Sequence, residues 1–240
     1  MYAIETDNLI KKYKDNIAVN GINLKIKQGE LFALLGTNGA GKTTTIKMLS
    51  SLILPSLGTI KINGLDIFSN SQTIKQILNV SPQETAIAPN LTVKENLEFM
   101  AGVYQIKYKN EKIEELVNVF NLTEMLGQKA KVLSGGWQRK VSIAISLIND
   151  PQILFLDEPT LGLDVIARRE LWKIIEKLKG KITIVLTTHY MEEAEKLSDR
   201  IGIMSKGNLV AVATADELIR QCDAKNFEDA FVKIATGDEL

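Results

Sequence analysis

The octapeptide GTNGAGKT, residues 36–43, has residue types suited to binding a phosphate. It follows the apolar run LFALL and precedes a helix that the pattern predicts from Lys42 to Ser51. Glycines let the backbone wrap around an anion, and a helix N-terminus directs unpaired N–H groups at it. The pattern G-x-x-x-x-G-K-[ST] predicts that Lys42 reaches the outer phosphates of a ligand and that the Thr43 hydroxyl binds Mg²⁺. The alternative, a turn with a solvated lysine, is disfavoured by the flanking strand and helix.

Two carboxylates, Asp157 and Glu158, follow a second apolar run in QILFLDEP. Ligands of open α/β sheets bind at the carboxyl ends of the strands. Because side chains alternate along a strand, one carboxylate can hold magnesium while the other polarises a water beside a γ-phosphate. Alone, the pair would more often be a solvated strand end or helix start. With the phosphate loop in the same chain, we predict that both carboxylates are functional.

Three other polar residues give weaker signals. The sole histidine, His189, ends the apolar run KITIVLTTH and is predicted to meet the γ-phosphate or position the attacking water, with a structural role as the alternative. Asp164 in TLGLD is, on sequence alone, predicted to be the N-cap of the next helix. Gln83 in NVSPQE, taken by itself, is predicted to be a polar loop residue after a strand.

A second glycine-rich turn, LSGGWQRK, begins at residue 133. Ser134 favours an N-cap, and Gly135 and Gly136 would expose backbone N–H groups at a helix start. An ordinary cap does not need two glycines, which destabilise a helix, so the turn is predicted to approach an anion. It either folds over the nucleotide of its own chain or faces the nucleotide of another copy.

The elements that must position these residues follow an α/β pattern. LFALL, QILFL and KITIVL are nearly continuous apolar runs, typical of strands buried in a parallel sheet. By contrast, GINLKIKQGE alternates, so Ile22, Leu24 and Ile26 are predicted to share one face of an antiparallel sheet. The middle third, residues 80–135, is predicted to be mainly helical.

Several element boundaries are predicted from caps and periodicity. Helices are predicted over Val93–Tyr104 behind the capping box of Thr92, over Trp137–Asn149, over Val165–Lys179 and from about Asp216. A hairpin is predicted around Lys206, Gly207 and Asn208.

The length and amino-acid composition of the chain limit the class of protein. The chain has 240 residues with 29 Lys+Arg and 29 Asp+Glu, so no overall basic field indicates nucleic acid and any anion site must be local. Cys222 is the only cysteine, and the N-terminus lacks the pattern of a secretory signal, which predicts a cytosolic protein. The apolar runs fall short of the ~20 residues that span a membrane, so we expect a soluble chain.

Taken in order, GTNGAGKTT, the glutamine of SPQ, LSGG, ILFLDEP, GLD and TTH resemble the nucleotide-binding subunit of an ABC transporter over most of the chain. The resemblance implies a P-loop NTPase core with a mainly parallel sheet, an N-terminal antiparallel β-subdomain and an inserted α-helical subdomain. It implies a single ABC ATPase domain over 1–240. Residues of about 1–80 and 150–240 would form the core, and about 81–149 the helical subdomain with the signature motif.

The resemblance also implies ATP and Mg²⁺ as ligands and a head-to-tail dimer that sandwiches two ATP molecules. It implies catalytic roles for Glu158 as base, His189 as switch, Gln83 and Lys42, and magnesium binding by Thr43, Gln83 and Asp157. It implies nucleotide contacts from Tyr13, Gly36, Thr37, Asn38, Gly39, Ala40, Gly41, Lys42, Thr43 and Thr44, and, across the dimer, from Ser134, Gly135, Gly136 and Asp164. Tyr13 would stack on adenine; a strand residue that packs locally is its alternative.

The signature motif is the glycine-rich turn that begins LSGGW at residue 133, and this stretch departs from the family pattern at two positions. Trp137 stands where glutamine is common, and Lys140 stands where arginine is usual, with Arg139 just before it. We expect phosphate contact to be retained and signalling through this helix to differ. TVKENLEFMAGVY and FEDAFVKIATG are similar to ATPase subunits of bacterial exporters of drugs and antibiotics. That similarity implies transmembrane permease partners and a peripheral location at the cytoplasmic face of the cell membrane.

Two other functions compete with a transport ATPase. A soluble ABC-type ATPase acting on nucleic acid or ribosomes usually carries two cassettes or a long coiled coil. This chain has one motif set, no sustained heptads and balanced charge, so no nucleic acid is expected. The third function is a nucleotide-gated subunit without turnover, and the presence of Glu158 and His189 argues against it.

Overall fold

The computed structural model describes residues 1–237. Its strands are β1 (Tyr2–Tyr13), β2 (Asn16–Lys27), β3 (Leu31–Gly36), β4 (Leu57–Ile62), β5 (Leu65–Asp66), β6 (Leu78–Ser81), β7 (Ile153–Asp157), β8 (Thr183–Thr188), β9 (Arg200–Ser205) and β10 (Asn208–Ala213). Its α-helices are α1 (Lys42–Leu49), α2 (Ser71–Ile77), α3 (Val93–Val103), α4 (Lys109–Phe120), α5 (Gly135–Ser146), α6 (Val165–Leu178), α7 (Met191–Leu197), α8 (Ala215–Gln221) and α9 (Phe227–Thr236).

The larger sheet has six strands in the order β10-β9-β3-β8-β7-β6. All neighbours are parallel except β9 and β10, which form an antiparallel hairpin. Every residue of β3, β7 and β8 is buried. The three apolar runs are therefore confirmed as central strands of a mainly parallel sheet.

The smaller sheet is antiparallel, with strand order β2-β1-β4-β5. Ile22, Leu24 and Ile26 are all buried while their neighbours on β2 are more exposed, which confirms the predicted alternation. The sequence pattern did not indicate β4 and β5, because β4 begins with an exposed leucine and a glycine and β5 has only two residues.

Strand β3 lies between two hydrophobic cores. Leu31, Ala33 and Leu35 pack into the core that contains helices α3 to α6. Phe32 and Leu34 face the core shared with the antiparallel sheet and α1. Because successive side chains point to opposite faces, a strand buried on both sides needs apolar residues throughout. The phosphate loop thus begins at the end of a strand that is fixed on both faces.

Helix boundaries agree with the sequence at α3 and differ at α5. At the start of α3, the Thr92 hydroxyl accepts from Glu95 N at 3.1 Å and the Glu95 carboxylate accepts from Thr92 N at 2.7 Å, so the capping box is confirmed. The helix predicted over Trp137–Asn149 instead runs over Gly135–Ser146. Its first turn includes both glycines, and tighter bonds, such as Leu147 N to the Ala144 carbonyl at 3.1 Å, end it early.

Three further predictions concern the ends of elements. Helix α6 begins at Val165 as predicted, and α1 and α6 end one to two residues before the predicted Ser51 and Lys179. The β9–β10 hairpin is confirmed, and α8 begins at Ala215, close to the predicted position. Within residues 1–237, no helix combines the length and apolarity that crossing a bilayer requires.

Candidate active site

The loop that joins β3 to α1 needs glycine at two positions. Gly39 and Gly41 have φ of 81° and 100°, a region that other residues rarely adopt. A Cβ on Gly41 would also lie 2.4 Å from the carbonyl oxygen of Ala18. Gly41 is the N-cap of α1 and has no side chain to bond the first turn. The loop therefore wraps tightly and presents N–H groups that suit an anion.

A cleft of about 750 Å³ opens beside this loop. It brings together Tyr13, residues 38–44 of the phosphate loop, Gln83, Glu158 and His189, which lie far apart in the sequence. Within residues 1–237, the predicted Gly36, Thr37 and Asp157 are not part of its lining. Its lining consists of Tyr13, Asn16, Ile17, Ala18, Asn38, Gly39, Ala40, Gly41, Lys42, Thr43, Thr44, Gln83, Glu158, Leu161, His189, Lys206 and Gly207. Tyr13 ends β1 with 46% of its surface exposed, so its ring is accessible to a ligand.

Lys42 is buried at the base of the loop. Its ammonium donates to the carbonyl of Gly36 at 2.7 Å and to that of Thr37 at 3.2 Å. The same Nζ lies 3.3 Å from Oε1 of Glu158. The lysine is thus held by oxygen atoms of its own loop and paired with the first acidic side chain beyond β7.

Glu158 joins the ends of β7 and β8. Its Oε2 lies 2.7 Å from Nδ1 of His189, and its backbone N–H donates to the Thr187 hydroxyl at 3.0 Å. Its φ is 49°, in the left-handed region, where a residue other than glycine is strained by about 1–3 kcal/mol. The surrounding contacts hold this carboxylate between a lysine and a histidine.

Asp157 faces the opposite side and meets the phosphate loop. Its Oδ1 accepts hydrogen bonds from Thr43 at 3.1 Å and from Thr187 at 2.5 Å. A carboxylate and a hydroxyl at hydrogen-bonding distance are oxygen ligands of the kind that Mg²⁺ takes, together with substrate phosphates and water. Thr187 was not among the predicted residues; its only signal was the TT dipeptide at the end of the third apolar run.

The second glycine-rich turn does not reach this cleft. Ser134 occupies the N-cap position of α5 as predicted, yet its hydroxyl makes no capping hydrogen bond. Ser134 and Gly135 are exposed, and Gly136 packs near Ala167. Among residues 1–237, the cleft lining does not include this turn. The serine and glycines are therefore available to a ligand outside their own chain's cleft.

Asp164 caps α6, as the sequence predicted. Its Oδ1 accepts from Ile166 N at 2.8 Å and Ala167 N at 2.9 Å. It does not line the cleft within the described part of the chain. A contact across a dimer stays a prediction for this residue.

A family model described as ABC transporter matches residues 19–161, more than half of the chain. The chain belongs to the ABC transporter family. This membership confirms the resemblance read from the motifs. The match includes the phosphate loop, the glycine-rich turn at residue 133 and the carboxylates at the end of β7.

Two bacterial members of the ABC transporter family illustrate the similarity. The probable multidrug ABC transporter ATP-binding protein YbhF of Escherichia coli (strain K12) is 41% identical over 221 residues, which are 91% of this chain and 38% of YbhF. The chain thus spans less than half of that relative. The Nod factor export ATP-binding protein I of Burkholderia orbicola (strain AU 1054) is 39% identical over 227 residues, which are 92% of this chain and 74% of that protein.

Solved ABC structures have the same fold. The ATP binding subunit of an ABC transporter superposes with a TM-score of 0.86 at 29% identity and covers 97% of this chain and 99% of its own. The ATP-binding cassette MJ0796, solved as a dimer in a post-hydrolysis state bound to ADP and Pi, superposes with a TM-score of 0.79 at 26% identity. It covers 88% of this chain and 98% of its own. These similarities confirm the predicted P-loop NTPase fold with its antiparallel β-subdomain and helices.

In this ABC family member, Arg139 ties the signature helix to the loop that carries Gln83. Arg139 is 4% exposed, and its guanidinium donates to the carbonyl of Pro82 at 2.6 Å and to that of Gln83. Burial lowers the pKa of Arg139, and the charges of Asp157 and Glu193 act in the opposite direction. The sequence showed this arginine only as a departure from the usual motif.

A buried glutamate behind the ABC site was also missed. Glu193 on α7 has no exposed surface, and its Oε1 accepts from the indole N–H of Trp172 at 3.0 Å. Burial raises the pKa of Glu193, and the negative charge of Glu158 raises it further. Glu193 stands among three other charged residues of α7, Glu192, Glu195 and Lys196, so the sequence gave no sign that this one is enclosed.

Six residues of the lining, including Asn16, Lys206 and Gly207, were not predicted to belong to the site. The sequence pattern predicts the Lys206–Gly207 turn only as part of a hairpin. Its position depends on a long-range hydrogen bond from Gly207 N to the Ala40 carbonyl at 3.1 Å, which periodicity and motifs cannot indicate.

Proposed function

We propose that the chain binds ATP with Mg²⁺ in this cleft, hydrolyses it, and powers a separate membrane permease. The observation that carries the proposal is the position of Glu158. One of its oxygens lies 3.3 Å from the ammonium of Lys42 and the other 2.7 Å from Nδ1 of His189, beside the phosphate loop. A carboxylate held there can take a proton from a water that attacks the outer phosphate.

The lining supports one orientation of ATP. Tyr13 offers an exposed ring to adenine, and the N–H groups around Gly39 to Thr44 suit the phosphates. Thr43 and Asp157, with Gln83 on the facing loop, would hold Mg²⁺. Bound there, Mg²⁺ would supply positive charge to the phosphate oxygens during phosphoryl transfer.

Hydrolysis uses the side chains at the strand ends. The oxygen of water forms a bond to the γ-phosphorus, the bond to the bridging oxygen breaks with its electron pair going to ADP, and Glu158 takes the proton. His189 orients Glu158 and the water through its ring nitrogens. Lys42 exchanges its contact with Glu158 for the phosphates, which frees the carboxylate to act as a base.

A second copy would complete the site. The Ser134 hydroxyl makes no cap hydrogen bond, and its turn lies outside the lining of its own chain's cleft. In a head-to-tail dimer, Ser134, Gly135 and Gly136 would contact the γ-phosphate held by the other copy, with Asp164 at the same interface. The dimeric MJ0796 cassette supports this arrangement. ATP would then close the dimer because these contacts form only in the closed state.

The proposals of a permease partner and of a direction of transport rest on the names of similar proteins. The names of YbhF and the Nod factor protein refer to a multidrug transporter and to export. We therefore propose a peripheral subunit at the cytoplasmic face of the cell membrane that drives an exporter. The balanced charge of 29 basic and 29 acidic residues gives no support to a nucleic-acid partner.

Hydrolysis is tested with the purified chain and Glu158→Gln. We expect phosphate release from Mg-ATP by the unchanged chain and a loss of at least about 100-fold in the variant, since the base is removed. Glu176→Gln, which neutralises an exposed glutamate on α6, is the control and should retain activity. Equal rates for the unchanged chain and Glu158→Gln would exclude Glu158 as the base.

The permease is tested by recovering the tagged chain from its native membranes in detergent and identifying co-purifying proteins by mass spectrometry. A stoichiometric partner with several membrane spans is the expected result. Recovery with ribosomal or nucleic-acid partners instead would exclude the transport function and favour an ABC-type ATPase that acts on those partners.

A further inference from the structure

The turn between β9 and β10 brings Lys206 to the nucleotide cleft. Lys206 and Gly207 both line it. Gly207 N donates to the Ala40 carbonyl at 3.1 Å, and the Gly207 carbonyl accepts from Asn20 N at 2.9 Å. Because these bonds attach the turn to the phosphate loop on one side and to β2 on the other, the backbone fixes where Lys206 stands.

Local preference does not explain a lysine in this turn. Lys206 and Gly207 have φ of 48° and 81°. A two-residue hairpin turn with two positive φ values favours asparagine or aspartate followed by glycine. Lysine at the first position is strained, and strain of this kind is often retained where a side chain has a function.

The charge of Lys206 is also available. Within the described residues 1–237, two lysines line the cleft. The ammonium of the other one, Lys42, is engaged by Gly36, Thr37 and Glu158. Within residues 1–237, the Lys206 ammonium has no carboxylate within 4.0 Å. Lys206 is therefore a cation at the cleft with no acidic partner in the described part of the chain.

We propose that Lys206 is a nucleotide-binding residue that contacts the α- or β-phosphate. The inference rests on the nucleotide binding proposed above and adds a contact that the family motifs do not include. Glu158 and His189 mark the γ-phosphate end of the cleft, whereas the turn is bonded to Ala40 and packs on Ala18 of β2. Strand β2 begins at Asn16, which pairs with Tyr13. Lys206 thus lies between the adenine side and the phosphate loop.

The test is Lys206→Asn in the full chain, with ATP, ADP and adenosine titrated by calorimetry at low salt. Asparagine suits the turn, so the melting temperature should be equal or higher. We expect ATP and ADP to bind about fivefold more weakly, as for loss of one partly exposed ionic contact, and adenosine to bind equally well. Because salt screens such a contact, the difference should shrink at high salt.

Two matched variants separate this contact from other effects. Lys206→Arg keeps the charge and should retain affinity, and Lys177→Asn removes an equal charge from an exposed position on α6 and should change nothing. If Lys206→Asn does not fold, Lys206→Gly removes the charge and also suits the turn. Unchanged ATP and ADP affinity in a folded variant would overturn the inference, as would a loss confined to ATP. Failure of the unchanged chain to bind any nucleotide would instead overturn the proposed function.

Discussion

Glu158 has both carboxylate oxygens engaged, one by Lys42 and one by His189. The three side chains come from α1, the end of β7 and the end of β8. Lys42 is shared between Glu158 and the carbonyls of its own loop, so an entering phosphate competes for an ammonium that is already in place. The negative charge of Glu158, the proposed base, and the positive charge of Lys42, which we propose binds phosphate, thus neutralise each other in the absence of a ligand.

Lys42→Ala should abolish ATP binding. The variant removes the buried ammonium and leaves Glu158 without its cation, so a phosphate would meet uncompensated negative charge. Fluorescence titration with an ATP analogue measures the effect. Lys47→Ala, an exposed position on the same helix, is the control and should bind normally. Normal binding by Lys42→Ala would exclude the assignment of the phosphate loop.

In Glu193→Gln, the free energy of unfolding should fall less with rising pH than in the unchanged chain. The pKa of Glu193 is raised above 4.5 in the folded protein by burial, so the folded state holds this proton more tightly than the unfolded chain. Stability from this proton is fully present below the ordinary pKa and is lost as pH rises through the raised value. The groups that face the Glu193 carboxyl are the side chains of Trp172, Thr160 and Thr188 and the charges of Glu158 and Arg139.

Thermal unfolding from about pH 5 to about pH 8 measures this difference. The unchanged chain should lose more stability over that interval than Glu193→Gln, whose amide has no proton to lose. Glu195→Gln, an exposed position on α7, should keep the pH dependence of the unchanged chain. Parallel curves for the unchanged chain and Glu193→Gln would contradict the prediction.

Elements whose burial is uniform or whose caps are explicit could be predicted from the sequence. Strands β3, β7 and β8 are buried on both faces, and α3 and α6 begin at residues whose side chains cap them. Strand β4 could not be predicted because its antiparallel pairing with β1 joins residues far apart in the sequence, and β5 could not be predicted because it has only two residues, which pair with β4. The residues of the site also fall into a group that the sequence could predict and a group that it could not. The motifs predicted the phosphate loop and the strand-end carboxylates, whereas Lys206 and Arg139 depend on contacts between elements.

Arg139→Gln should uncouple α5 from the loop after β6. The guanidinium bonds the carbonyls of Pro82 and Gln83, so its loss frees the backbone that positions the Gln83 side chain at the cleft. We expect the turnover rate to fall about tenfold while ATP affinity changes little, since small displacements affect the reaction more than binding. Arg139→Lys should rescue part of the rate, because lysine also donates to these carbonyls. Equal losses of affinity and rate would indicate a general structural role.

At the scale of the whole molecule, the second glycine-rich turn lies outside the cleft lining found within residues 1–237. In the dimer proposed above, a single chain would hold one face of each of two sites. Glu158→Gln with Mg-ATP should double the apparent mass on a sizing column, because ATP stays unhydrolysed and the closed pair persists. The double variant with Lys42→Ala should remain single, since it cannot bind ATP. If Glu158→Gln elutes with the mass of a single chain at saturating ATP, this result would contradict a nucleotide site shared between two copies.

The left-handed backbone of Glu158 affects how the protein would respond to laboratory evolution. Its φ of 49° suits glycine or asparagine better than glutamate. Glu158→Gly and Glu158→Asn would each relieve about 1 kcal/mol of backbone strain, but each would also leave the buried ammonium of Lys42 without its carboxylate. Because the loss of one partner of a buried ion pair costs more than this strain, a library selected only for heat resistance should retain glutamate at position 158, even without selection for turnover.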